Sequence, residues 1–171
     1  MSLSDRLIFL SEHRLGVRYN VGEDEIIENL NHNWLAPFEY FDITKEIIRL
    51  EREKWFFSSK NGFEEMVDFK IVSFMDDFKI GDAMTAIDQA DLRPASILEL
   101  FSWGCSEYKD LFPLVLAPVL MKCPNYLNEF IYGFVSLGGN YGVNMFIYDH
   151  EKKWRTKNCY FLVVQQQKPC S

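Results

Sequence analysis

Cys159-Tyr160-Phe161-Leu162-Val163-Val164 is the run on which the fold turns. Neither side of this stretch carries a charge, and its residues favour extended backbone. A strand apolar on both faces must be covered on both, so the run reads as a central, doubly buried strand. Gln165-Gln166-Gln167 reads as its fraying end. Upstream, Val143, Met145 and Ile147 alternate with Asn144, Phe146 and Tyr148, the period-2 signature of a strand. The polar stretch 149–158 connects the two. The reading predicts 143–149 and 159–165 as paired antiparallel strands, a terminal hairpin.

Working back, Ala90-Asp91-Leu92-Arg93-Pro94-Ala95-Ser96-Ile97-Leu98-Glu99-Leu100 marks a helix start. Ser96 and Glu99 have the S-x-x-E spacing of a capping box, in which the hydroxyl and the carboxylate each bind a first-turn N–H. Pro94 disfavours helix at Arg93, so the chain arrives extended. The helix runs to about Cys105. Asp82 is expected to cap a short helix over 83–90. In 66–75, Val67, Phe69 and Ile71 alternate with Asp68 and Lys70, which favours a strand, although the acidic flanks suit a helix equally well.

The N-terminal part reads as helical. Ser4 to Arg14 is expected as a short helix with Ser4 as N-cap and Leu7, Phe9 and Leu10 on its apolar side. Gly16 and Gly22 bracket Val17, Tyr19 and Val21, a possible strand in alternation. Glu23-Asp24-Glu25 suits a helix start, where the dipole favours negative charge, and Asn31 and Asn33 suit its stop. Asp42 is the expected N-cap of a helix over 43–57, ended by Ser58-Ser59-Lys60-Asn61-Gly62. In the midsection, Pro113 and Pro118 interrupt the apolar run 111–121 and argue against a regular helix or a central strand. Cys123-Pro124-Asn125 reads as a turn. The fold class is therefore α+β in one domain: residues 1–65 a helical addition, residues 66–171 a core with a C-terminal antiparallel sheet.

The chain has 171 residues, enough for one sizeable core, with 48% hydrophobic and 25% charged residues. Aromatics reach 16%, which supplies either an aromatic core or an exposed recognition face. The net charge of −7 disfavours a nucleic-acid partner. The densest basic run, around Lys152, Lys153, Arg155 and Lys157, is blunted by Asp149 and Glu151. Cys105, Cys123, Cys159 and Cys170 form no C-x-x-C pair and no zinc spacing, and reduced thiols in a cytoplasmic protein are expected. The run Leu7-Ile8-Phe9-Leu10 is too short for a secretory segment, and no stretch approaches a membrane span. The glycine-rich Leu137-Gly138-Gly139-Asn140 and Gly142 lack the phosphate-binding pattern.

From about residue 80, a short helix leads to the Arg93-Pro94-Ala95-Ser96-Ile97-Leu98-Glu99-Leu100 corner. An apolar midsection follows, then Trp154 ahead of Cys159-Tyr160-Phe161-Leu162-Val163-Val164. This order resembles that of small uncharacterised bacterial proteins and, more distantly, the C-type-lectin-like fold shared with formylglycine-generating-enzyme domains. The resemblance covers residues 66–171. It implies that Arg93 and Pro94 form a corner between helices and that Ser96 and Glu99 cap the second. It also implies that Trp154 packs at the base of a terminal hairpin centred on Phe161-Leu162-Val163. The E-P-N or Q-P-D loop and the W-N-D strand of calcium-dependent sugar binding do not occur, so it implies a fold without an activity.

His13, His32 and His150 fall in no metal-binding motif. Asp149-His150-Glu151 could chelate only if a turn converged all three. A Cys–His pair such as Cys105 or Cys159 with His150 depends on spatial meeting that spacing does not reveal. Carboxylate pairs such as Glu64/Glu65 and Asp76/Asp77 carry little information in an acidic chain, and no G-x-S-x-G elbow is present. No catalytic residue, metal or cofactor is assigned, and no membrane partner is expected. The reading favours a non-catalytic binding or protein-interaction module over an enzyme. Its candidate ligand-binding residues are Trp103, Tyr108, Tyr126, Tyr132, Tyr141 and Trp154, because tyrosine and tryptophan combine large contact area with a polar handle. One alternative is a small metal-independent hydrolase with a site assembled from distant loops. Another is an acidic inhibitor mimicking nucleic acid.

Overall fold

The computed structural model describes residues 2–22, 24–25, 45–51, 65–109, 111–119, 130–137 and 140–166. Strand dominates over helix among these residues. The elements are β1 (Leu7–Val17), the helical residues 45–51 (α1), β2 (Glu65–Phe74), β3 (Phe78–Lys79), α2 (Ile80–Gln89) and β4 (Leu92–Pro94). There follow α3 (Ile97–Gly104), β5 (Leu114–Val119), β6 (Phe130–Leu137), β7 (Asn140–Ile147), β8 (Lys153–Trp154) and β9 (Tyr160–Gln165).

Seven strands make one mixed sheet in the order β1-β2-β9-β5-β6-β7. β9 runs antiparallel to β2, with Phe69 opposite Val164, and parallel to β5, with Val115 opposite Tyr160. β4 joins β9 antiparallel at Leu92, Arg93 and Pro94. Since β2 holds one edge of β9 over residues 161–164, β5 and β4 share the other edge end to end. β3 and β8 form a separate two-stranded sheet.

The alternation along β9 explains the layering. Leu162 and Val164 enter one core with Ile97, Leu98, Leu100 and Trp103 of α3 and Ile47 and Ile48 of α1. Phe161 and Val163 enter the other with Ile80, Ala83, Ala86 and Ile87 of α2, Phe78 and Trp154. Helices thus cover both faces of the sheet, and β9 is the doubly buried strand that its composition requires. Phe161 is fully buried; truncating such a side chain to alanine costs about 3–5 kcal/mol.

This arrangement corrects the expected fold. The helices are not gathered in the N-terminal part and the sheet is not purely C-terminal or antiparallel. Residues 4–14, expected as helix, are instead a single 3-10 turn at Ser4–Arg6 followed by most of β1, a strand of the main sheet that runs over Leu7–Val17. The expected terminal hairpin does not form: β7 pairs with β6, and β5 and β6 lie between it and β9. β5 contains Pro118 yet is an interior strand. Its ladder to β9 involves only Val115 and Leu116, so Pro118 lies where β6 alone is a partner and a missing donor is tolerated. α2 begins earlier than expected, with Lys79 as N-cap, and Asp82 adds charge to the first turn without capping. The strand over 66–75 appears as β2, and α3 starts at the Ser96 cap with its box complete. The expected features at Asn31, Asn33, Asp42, 58–62 and Cys123-Pro124-Asn125 lie outside the described residues, as do Gly138 and Gly139.

Candidate functional site

Helix α3 carries a polar cluster at each end. At its start, Glu99 sits fully buried beneath the β4 corner. Arg93 donates to both carboxylate oxygens, each at 2.7 Å. The Tyr19 hydroxyl donates to Oε1 at 2.5 Å, and the Ser96 N–H donates to Oε2 at 2.6 Å. Ser96 Oγ accepts from the Glu99 N–H at 3.2 Å. Glu51, the last described residue of α1, accepts from the Ile97 N–H at 2.8 Å. Two acidic side chains and a hydroxyl therefore satisfy first-turn donors that would otherwise be orphaned. Burial by itself would raise the Glu99 pKa. The hydrogen bonds and charge of Arg93 outweigh it and hold the carboxyl below its ordinary range. Burial, followed by the Glu99 charge, raises the Tyr19 pKa. The cluster is filled and charge-paired, and it ties β4, α1 and the Tyr19 turn to α3.

The other end is different. β1 presents Ser11 and His13 on the face that carries Leu15 and Val17 into the α3 core. Trp103 of α3 meets the His13 ring edge-on, with centroids 5.2 Å apart. Beyond the helix, Ser106 Oγ donates to the Trp103 carbonyl at 2.6 Å and accepts from the Tyr108 N–H at 3.2 Å. That turn sets the Tyr108 ring 4.1 Å from His13 and 5.9 Å from Trp103. Ser11 Oγ, His13 Nε2 and Trp103 Nε1 are all buried and have no hydrogen-bond partner among the described residues. Burial lowers the His13 pKa, so the imidazole is neutral near pH 7. Buried polar atoms are nearly always paired, so such a concentration of orphans invites an explanation.

The residues expected to bind ligand do not form one surface. Trp103 and Tyr132 are buried in the α3-side core, with Tyr108 packed against its margin. Trp154 lies in the opposite core, edge-on to Phe146 and beneath Lys152. Tyr141 stands in β7 opposite Ser136, and Tyr126 lies outside the described residues. The rings of Trp103 and Tyr108 meet each other and that of His13, with Ser11 on the same face of β1. Sequence reading missed Ser11 and His13 because it took β1 for a helix; on a strand, the S-x-H spacing places both on one face.

Comparison with protein-family models, with curated proteins and with solved structures finds no match. Among the described residues, no group of three His, Cys, Asp or Glu could hold a metal ion. Of the candidate nucleophiles, Cys105 is exposed and free, while Cys159 is buried beside Trp154 with burial pushing its thiol up to about 12. A thiol at that value carries almost no thiolate at neutral pH. His150 lies against the Tyr148 ring on an exposed turn, and Glu151 there binds Lys79 Nζ at 2.7 Å. Among the described residues no helix is long and apolar enough to cross a membrane.

Proposed function

We propose that the protein is a non-catalytic binding module whose ligand seats between β1 and the end of α3. The supporting observation is that His13 and Trp103, whose rings meet, each carry a buried polar atom with no partner among the described residues, as does Ser11, two residues from His13 on the same face of β1. The Trp103 indole can only donate, so the ligand offers it an acceptor. The Ser11 hydroxyl and a neutral His13 can each donate or accept. The rings favour a flat molecule. A planar carbonyl or carboxylate compound meets all these demands.

The test is NMR of indole-labelled protein titrated with benzoate and with nicotinamide. The Trp103 Nε1–H and His13 ring signals should shift saturably while those of Trp154 stay fixed, and Trp103→Phe should abolish the response. If neither probe moves the Trp103 and His13 signals, the reading fails.

A further inference from the structure

We propose that a second copy of this chain docks on the free edge of β1, pairing antiparallel about a two-fold axis through His13 to make one continuous sheet across the dimer. This rests on the edge and not on the ligand site. β1 stands at the end of the strand order, eleven residues long, and among the described residues nothing pairs with its outer edge. Such an edge is a template for another strand, and natural proteins usually blunt it. Here it carries consecutive exposed apolar residues, Ile8, Phe9 and Leu10, with Phe9 57% exposed.

The register follows from the sequence of the strand. Centring the axis on His13 sets Glu12 opposite Arg14 of the second copy, and Arg14 opposite its Glu12. Both are exposed and point to the same side of the sheet. The charge match is therefore made twice by one symmetry operation, as an isologous interface requires. Arg14 already lies 3.6 Å from Asp68, so it would sit between two carboxylates. The bulge between Phe9 and Ser11 then matters. It leaves Leu10 as the extra residue and brings Phe9 opposite Gly16 of the second copy, on the same side as the charges. An aromatic ring over a strand glycine covers backbone that has no side chain of its own. Other registers lose both matches together.

The experiment is sedimentation velocity over a wide concentration range. The wild type should reach twice the chain mass of 20.2 kDa. Glu12→Arg and Arg14→Glu each create two like-charge pairs and should weaken association by about tenfold or more. Mixing the two variants in equal amounts should restore a dimer, because each supplies the charges that the other lacks. A wild type that stays at the single-chain mass throughout overturns the proposal. So does a dimer that both variants retain, or a mixture that remains monomeric while both variants melt like the wild type. Should a variant fail to fold, hydrogen exchange of the wild type decides. The outward-facing amides among residues 11–15 should gain protection as concentration rises, and unchanged exchange there refutes the interface.

Discussion

At the start of α3 the Glu99 carboxylate receives four hydrogen bonds in a fully buried site. At its end the Trp103 indole, equally buried, donates to nothing among the described residues, and neither Ser11 Oγ nor His13 Nε2 has a partner there. One eight-residue helix thus joins a saturated polar site to an unsaturated one. Saturation is what a structural cluster needs, since each unpaired buried group costs about 1–3 kcal/mol. An unsaturated cluster carries that cost until a further partner supplies the missing hydrogen bonds. On the function proposed above, the first site serves stability and the second recognition, and each substitution below sets one against the other.

Glu99→Ala should have the largest effect. It strands the Arg93 guanidinium in the interior, and breaking a buried pair costs about 3–5 kcal/mol. Urea melts should show the loss, and a midpoint close to that of the wild type would break the comparison.

The two ends should also titrate in different windows. The lowered pKa of Glu99 means that its contribution is complete above the ordinary value of 4.5 and is lost as pH falls through the lower folded value. The lowered pKa of His13 means that the unfolded chain takes up its proton first, so stability begins to fall below 6.5. Melts across pH should show two acid-side losses. Glu99→Gln should remove the lower one and His13→Gln the upper; loss of neither would contradict the assignments.

The same substitution should have opposite signs at the two ends. Ser96→Ala removes the hydroxyl that accepts from the Glu99 N–H and should cost about 1 kcal/mol, the usual loss of an N-cap. Ser11→Ala removes an oxygen with no partner and should raise stability by about 0.5 kcal/mol. Paired denaturant melts measure both, and a destabilised Ser11→Ala would mean that the Ser11 hydroxyl is hydrogen-bonded in solution.

The saturated end was legible in sequence and the unsaturated end was not. S-x-x-E before an apolar run specifies its own hydrogen bonds, so Ser96 and Glu99 declare themselves within four residues. Tyr19 and Glu51 reach the same cluster from far along the chain, and no local signal announces them. β9 was readable because a strand buried on both sides must be apolar throughout. β1 was hidden by its bulge: past Phe9 the alternation slips by one residue, and Leu7, Phe9 and Leu10 mimic a helical stripe. Pairing was the least readable property. β7 and β9 look alike as neighbours in sequence, yet the partners of β9 are set by which faces remain to be covered, and that is decided by α2 and α3.

The central place of β9 dictates an order of events during synthesis. β1 with β2, and β5 with β6 and β7, are made before residues 160–165 exist, yet each group has a strand edge whose partner among the described residues is β9. A nascent chain that has passed β7 therefore holds two half-sheets that cannot unite, and Phe69 waits for Val164. Such distant pairing slows folding, and open strand flanks invite wrong partners in the meantime. Pauses in translation just before β9 would lengthen that exposure, so the yield of native protein should depend on codon choice there more than anywhere else in the gene.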